Sequence, residues 1–521
     1  MREKNEYELN KFLGPFKVLI EPGGAFVTAA VCAYIVYSSS GDGGGALLCG
    51  TSILCLAWSA RIDRKRFNQV AQPPIFFLTL AGFTRWGLGG ILLLLGTTKE
   101  GDWFHIFRLH AAKSMSLWAA FTLVFLITAQ AMTGKAKERS RPACEKELAQ
   151  GRLASTSIVL GAYVLIYSIF QIKTGLIDRG GAYTDNVGNT SALGMALTAL
   201  LRLKDFFYVL LPLSIQELWD LKKREGRLKT SLIALALGVT AVTALVVGLI
   251  SGGRGNVALP ISLLFFGTWA TRLSKRLLRV ILLAIVPSML LFSVGMNAIR
   301  QSAEFQAGTM TNPLKRIETI AKQSVDPNTY RAEGSSVNIG GQLYGASDAY
   351  LFSDINPDKD LKAGTRGIGN PLSYVLPKVL YRNKTDPNDG HLIALRMMNK
   401  ESAGVVDGKY TWFPNISFPG DLYRRWRIAG LLTGSLVFSV FYVGFAKAWD
   451  KYAMVSYKSA YSTCIAFIPA SFSCSLPLRS LNETLWNWAY DVPKMLVTLA
   501  IACLLAKSVA KTLFSGKVTS D

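Results

Sequence analysis

The sequence predicts an all-α polytopic membrane protein with about twelve transmembrane helices and one large outward-facing loop. Of the 521 residues 50% are hydrophobic and only 17% are charged, a composition too apolar for soluble domains. The hydrophobic residues are concentrated in blocks. Several blocks reach the ~20 residues that a helix needs to cross the hydrocarbon layer. The bilayer is therefore the predicted solvent for most of the chain.

Each predicted helix is an apolar block that charged residues separate from the next block. The predicted helices lie near residues 23–38, 43–60, 75–97, 114–133, 153–170, 200–218, 231–250, 257–271, 280–297, 428–446, 459–476 and 493–510.

Basic clusters between the blocks predict the orientation of the chain. Arg61 to Arg66, Lys135 to Arg152 and Lys222 to Lys229 follow the second, fourth and sixth predicted helices. Because Lys and Arg are enriched in cytoplasmic loops, we expect both termini of this multi-pass chain to be cytoplasmic. The same clusters account for much of the net charge of +23, so no nucleic-acid partner is predicted.

The large loop divides the chain into three predicted parts. Residues 1–296 carry predicted helices 1 to 9, residues 297–427 form the loop with short helices, and residues 428–521 carry predicted helices 10 to 12 and a cytoplasmic tail. The loop contains no cysteine, and the chain's histidines lack metal-binding spacing. We therefore expect no metal site, and the absence of a Walker pattern argues against a nucleotide cofactor.

Two arginines outside the loop are candidate functional residues. Arg85 lies in the middle of the third apolar block, where a charged side chain costs about 2.5 kcal/mol or more, so it requires a partner. That partner is either an anionic ligand or an acid of a buried ion pair. Arg254 lies between glycines in a predicted outward turn, which leaves its guanidinium open to phosphate. The alternative is a plain hairpin turn with an interfacial arginine.

Further candidates lie in the loop. Arg366 precedes the stretch Leu376 to Lys384, which contains Arg382 and ends in Lys384. His391 follows closely and is a candidate general base, although a lone surface histidine is more often incidental. The loop returns to the membrane through the segment from Ser417 to Gly430, which contains Asp421, Arg424, Arg425 and Arg427. These arginines are candidates for a specific task, or for anchoring to lipid phosphates.

The arrangement resembles the Wzy-type O-antigen and oligosaccharide repeat-unit polymerases of bacterial inner membranes. Three segments carry the resemblance: the Gly-Arg-Gly turn at Gly253 to Gly255, the stretch from Leu376 to Lys384, and Gly420-Asp-Leu-Tyr followed by Trp-Arg-Ile-Ala-Gly430. The related O-antigen ligases share this layout.

The resemblance implies an enzyme of the bacterial cytoplasmic membrane with a periplasmic loop. It implies transfer of a growing glycan from undecaprenyl diphosphate to another lipid-linked repeat unit, with a chain-length regulator as an expected partner. Positioned guanidinium groups suit the diphosphate leaving group, and the acceptor hydroxyl needs a base. The expected diphosphate-binding residues are Arg254, Arg366, Arg382, Lys384, Arg424 and Arg425, and the expected catalytic bases are His391 and Asp421.

Two other functions fit the same layout. One is an O-antigen ligase-type glycosyltransferase, and the other is a transporter of polysaccharide or lipid-linked glycan. A transporter would place ionisable residues and broken helices at the midplane of several helices. Here the polarity is concentrated in one loop instead, which favours the enzyme.

Overall fold

The structure is a computed structural model, and it describes part of the chain. The described residues are 21–40, 89–95, 151–174, 203–225, 228–250, 312–329, 405–406, 409–410, 417–452 and 480–514, with separate positions between 43 and 57, between 117 and 132, at 200 and between 260 and 264.

The described elements are helical except for one pair of two-residue strands. The helices are α1 (Pro22–Ser40), α2 (Gly89–Leu95), α3 (Arg152–Thr174), α4 (Leu203–Glu225), α5 (Leu228–Ile250), α6 (Pro313–Val325), α7 (Phe418–Tyr452), α8 (Leu481–Trp486) and α9 (Val492–Phe514). A π-helical turn, Asn487–Asp491, joins α8 to α9. The strands β1 (Val405–Val406) and β2 (Lys409–Tyr410) pair antiparallel.

Three described helical stretches are long and apolar enough to cross a membrane: Arg152–Ile172, Lys229–Gly248 and Leu481–Phe514. The middle stretch, in α5, leaves Leu232, Leu235, Val239 and Val242 between 57% and 64% exposed. These residues recur at steps of three and four and so form one face of the helix. An apolar face of this kind is stable against lipid, which identifies a membrane protein. The number of about twelve spans and their orientation remain predictions.

The described helices match several predicted blocks closely. The blocks at 153–170 and 231–250 correspond to α3 and α5, and the block at 23–38 corresponds to α1. The block at 200–218 corresponds to α4, which continues to Glu225. The blocks at 280–297 and 459–476 lie outside the described residues.

The chain divides into two compact units, one of residues 140–334, 451–468 and 491–521 and the other of the remaining residues. In the first unit, α3 packs against α4, α5 and α9. The Ser157 and Ser214 hydroxyls are 2.6 Å apart, and the Ala154 N–H donates to the Glu217 carboxylate at 2.7 Å. The buried carboxylate therefore accepts a backbone N–H of the first turn of α3, where N–H groups have no partner within the helix.

In the other unit, the first half of α7 packs against aromatic residues near position 120. The Ser435 hydroxyl donates to the Phe121 carbonyl at 2.6 Å, and the Phe418 ring meets the Phe121 ring edge to face. The fully buried Phe125 ring contacts Phe438. This packing fixes the start of α7, which carries Asp421, Arg424 and Arg425.

Candidate functional site

The start of α7 contains three of the predicted site residues: Asp421, Arg424 and Arg425. The other predicted site residues lie outside the described part of the chain: Arg85, Arg254, Arg366, Arg382, Lys384 and His391.

Local sequence explains why α7 begins here. Ser417 precedes the helix, and its hydroxyl accepts the Gly420 N–H at 3.0 Å. Its carbonyl accepts the Asp421 N–H at 2.9 Å as the first helical hydrogen bond. Serine is a preferred N-terminal cap, and Pro419 suits the first turn because its missing N–H is not needed there. Asp421, also in the first turn, places a negative charge at the positive end of the helix dipole.

Asp421, Arg424 and Arg425 form a buried ionic cluster. Oδ1 of Asp421 accepts hydrogen bonds from Nε and Nη2 of Arg424 at 2.8 and 2.5 Å. Oδ2 of Asp421 accepts a longer hydrogen bond from Nε of Arg425 at 3.2 Å. All three residues are buried, and Asp421 is 0% exposed. Charged residues are rarely buried so completely unless they are paired, so the cluster is a specific feature of this helix start.

A distant segment completes the cluster. The backbone N–H of Leu481, the first residue of α8, donates to Oδ2 of Asp421 at 2.9 Å. Ser480 caps α8 in a capping box with Glu483: the Ser480 hydroxyl accepts the Glu483 N–H, and the Glu483 carboxylate accepts the Ser480 N–H. The Asp421 carboxylate thus contacts the N-termini of two helices, where partial positive charge favours an anion.

Opposing effects set the protonation state of Asp421. Burial raises the pKa of its carboxyl, while the positive charges and hydrogen bonds of Arg424 and Arg425 and the Leu481 N–H lower it. The lowering effects prevail, so the pKa lies below its ordinary value. The carboxylate is therefore ionised at neutral pH.

A backbone kink follows the cluster. Arg427 has φ 57° and ψ −146°, outside the helical region, and its guanidinium lies 5.5 Å from the centre of the Tyr423 ring. A non-glycine residue with this backbone is uncommon and strained. The kink separates the buried ionic turns of α7 from the apolar residues that begin at Ile428, where the sequence predicts the membrane span.

Arg316, on the buried face of α6, is a polar residue that was not predicted from the sequence. Arg316 is 2% exposed, and its Nη1 donates to the carbonyl of Ile250, the last residue of α5, at 3.4 Å. A basic side chain at a helix C-terminus compensates the unpaired carbonyls there. The signal was available, since Arg316 lies one turn before the buried Ile320 on an amphipathic helix.

Comparisons with known proteins assign neither a family nor a function to the chain. No protein-family model, no curated protein and no solved structure matches the chain. Among the residues that the structure describes, no group of three or more His, Cys, Asp or Glu side chains is placed to hold a metal ion.

Proposed function

We propose that the chain is a bacterial inner-membrane polysaccharide polymerase. It transfers a growing glycan from undecaprenyl diphosphate to the sugar hydroxyl of another lipid-linked repeat unit. The observation that carries the proposal is the buried cluster of Asp421, Arg424 and Arg425 next to the predicted outer end of a membrane span. A lipid-linked donor would bring its diphosphate to this depth, where its lipid tail remains in the bilayer.

The reaction breaks the bond between the anomeric carbon of the growing glycan and a diphosphate oxygen. The acceptor hydroxyl oxygen forms the new bond to that carbon, its proton passes to a base, and undecaprenyl diphosphate leaves. Negative charge develops on the leaving oxygen. Guanidinium groups bind phosphate oxygens through paired N–H donors, and they act more strongly in a site from which water is excluded. No nucleotide sugar is required, since the glycosyl bond is already activated.

Other predicted site residues, in the loop and outside it, supply the other roles. Arg254, Arg366, Arg382 and Lys384 share the phosphates with the two arginines of α7, and His391 takes the proton of the acceptor. Arg85, inside a predicted span, pairs with an anionic group of the lipid-linked substrate or with an acid of the bundle. A chain-length regulator is the expected protein partner.

Surface glycan from a gene-deletion strain provides the test. The strain is complemented with the wild type, with Arg254→Ala, with Arg425→Ala, or with Lys322→Ala as a control that removes an exposed cation from α6. We expect long ladders with the wild type and the control, and a single repeat unit on the acceptor with the two arginine variants. Membrane levels of each protein are compared by immunoblot.

The same gels separate the alternatives. If deletion removes all surface glycan, including the single-unit form, the chain acts in ligation or transport instead. Ladders of unchanged length and amount in the deletion strain would contradict every function considered.

A further inference from the structure

We infer that Asp421 is a positioning residue, which holds Arg424 and Arg425 in place for the lipid-linked donor and does not take the acceptor's proton. The inference rests on the proposed function and changes one of its expected roles. It follows from the contacts and the spacing of the three residues.

The contacts of Asp421 leave its carboxylate no acceptor site for a substrate hydroxyl. A carboxylate has about four lone-pair positions. Oδ1 accepts two N–H groups of Arg424, and Oδ2 accepts Nε of Arg425 and the backbone N–H of Leu481. A general base needs a free lone pair within hydrogen-bonding distance of the proton that it removes, and these four contacts occupy the lone pairs of Asp421.

The charges around Asp421 also argue against a role as a base. Two guanidinium groups stabilise the ionised carboxylate, so its pKa is lower than that of an ordinary aspartate. A weaker base gains less from taking a proton from a sugar hydroxyl.

The spacing explains what Asp421 does instead. Adjacent residues on a helix point about 100° apart, so Arg424 and Arg425 would diverge if each were free to follow its own direction. Asp421 lies three and four residues earlier, on the face that both side chains can reach. One carboxylate therefore brings two neighbouring guanidinium groups to a common place. The Leu481 N–H in turn fixes the carboxylate, because Ser480 caps the helix to which that N–H belongs.

The test uses the purified full-length protein in nanodiscs and the lipid-linked repeat unit extracted from the deletion strain. Polymer formation is measured against donor concentration and pH for the wild type, Asp421→Asn and Asp421→Glu. We expect Asp421→Asn to raise KM for the donor at least tenfold with a smaller fall in kcat. The acid limb of the pH profile should remain that of the wild type. Asp421→Glu, which keeps the charge, should recover part of the loss.

A paired variant keeps the test decisive if Asp421→Asn folds poorly. Asp421→Asn with Arg425→Gln removes one cation together with the anion, so the net charge of the three residues does not change, and Arg425→Gln alone supplies the second single loss. We expect its loss of activity to be smaller than the product of the two single losses, because positioning acts through the arginine. Lys322→Ala, which removes an exposed cation from α6 and leaves the ionic groups and the cap of α8 intact, should change neither Tm nor KM.

Two results would overturn the inference. A folded Asp421→Asn protein whose kcat falls more than a hundredfold at unchanged KM, with the acid limb lost, would identify Asp421 as the base. Fully multiplicative losses in the paired variant would show that Asp421 acts independently of Arg425. If the wild type forms no polymer, the proposed function is wrong and this inference falls with it. If the wild type forms polymer and only the variants depart from the expected pattern, the inference alone is wrong.

Discussion

Gly151→Ala tests the helix packing most directly, because two separate costs can be calculated for it. Gly151 has φ 64°, and a Cβ added there would lie 2.6 Å from Cγ and Cδ2 of the Phe514 ring. The left-handed backbone costs an L residue about 1 to 2 kcal/mol, and overpacking costs about 1 to 3 kcal/mol. The variant should therefore lose about 2 to 5 kcal/mol.

That loss corresponds to a measurable change in Tm. With an unfolding entropy of about 2.1 cal/mol/K per residue, a chain of 521 residues loses about 1 °C for each 1.1 kcal/mol. We expect Tm of the purified protein to fall by about 2 to 4.5 °C. The double variant Gly151→Ala with Phe514→Leu should recover the packing part of the loss and keep the backbone part.

Gly238→Ala is the matched control. Gly238 lies inside α5, and a Cβ added there has no atom within 4 Å. Alanine is favoured over glycine in a helix by about 1 kcal/mol, so Tm should stay the same or rise slightly. If Gly151→Ala were as stable as Gly238→Ala, the contact between the start of α3 and the end of α9 would be wrong.

The remaining predictions concern the polar contacts. Arg427→Gly should have a higher Tm than Arg427→Ala, because glycine adopts φ 57° without strain. Both variants lose the contact with the tyrosine ring, so that contact does not affect the comparison. A lower Tm for Arg427→Gly would refute the kink. Ser480→Ala should cost about 1 kcal/mol through the lost cap, and Ser480→Thr should restore most of it. Arg316→Met should make the first part of the loop more sensitive to limited proteolysis, whereas Lys322→Met on the exposed face should not. Asp421 has a lowered pKa in the folded state, so its stabilisation is present above the unfolded pKa of about 3.9 and is lost as pH falls through the folded pKa. The difference in Tm between the wild type and Asp421→Asn should therefore hold from pH 7 to about 5 and shrink below about 4.

Where the structure describes helices, hydropathy predicted their positions well but not all of their ends. The predicted block at 231–250 and the helix Leu228–Ile250 nearly coincide, because polar residues bound this apolar run on both sides. In contrast, α4 continues past the predicted end at residue 218 to Glu225. Helical hydrogen bonds lie within the backbone and continue through charged residues, whereas hydropathy detects only the apolar part of a helix. The same reason places the start of α7 at Phe418, ten residues before the predicted span.

The candidate site was predictable only in its local part. The sequence singled out Asp421, Arg424 and Arg425 because they are charged residues next to an apolar block. Their mutual contacts follow from helical spacing. The contact with Leu481 joins residues 60 positions apart, and no local pattern encodes it. That contact supplies one of the four hydrogen bonds that the Asp421 carboxylate accepts.

The exposed face of α5 has a consequence for how this protein can evolve. Lipid tails require only that Leu232, Leu235, Val239 and Val242 stay apolar, and they do not distinguish leucine from isoleucine or valine. Substitutions among these side chains at this face are therefore nearly neutral and accumulate by drift. Descendants of one ancestor can keep the same helices while losing recognisable identity along them. Residual similarity would then persist at tightly packed positions such as Gly151, so a search for relatives should weight those positions above the spans.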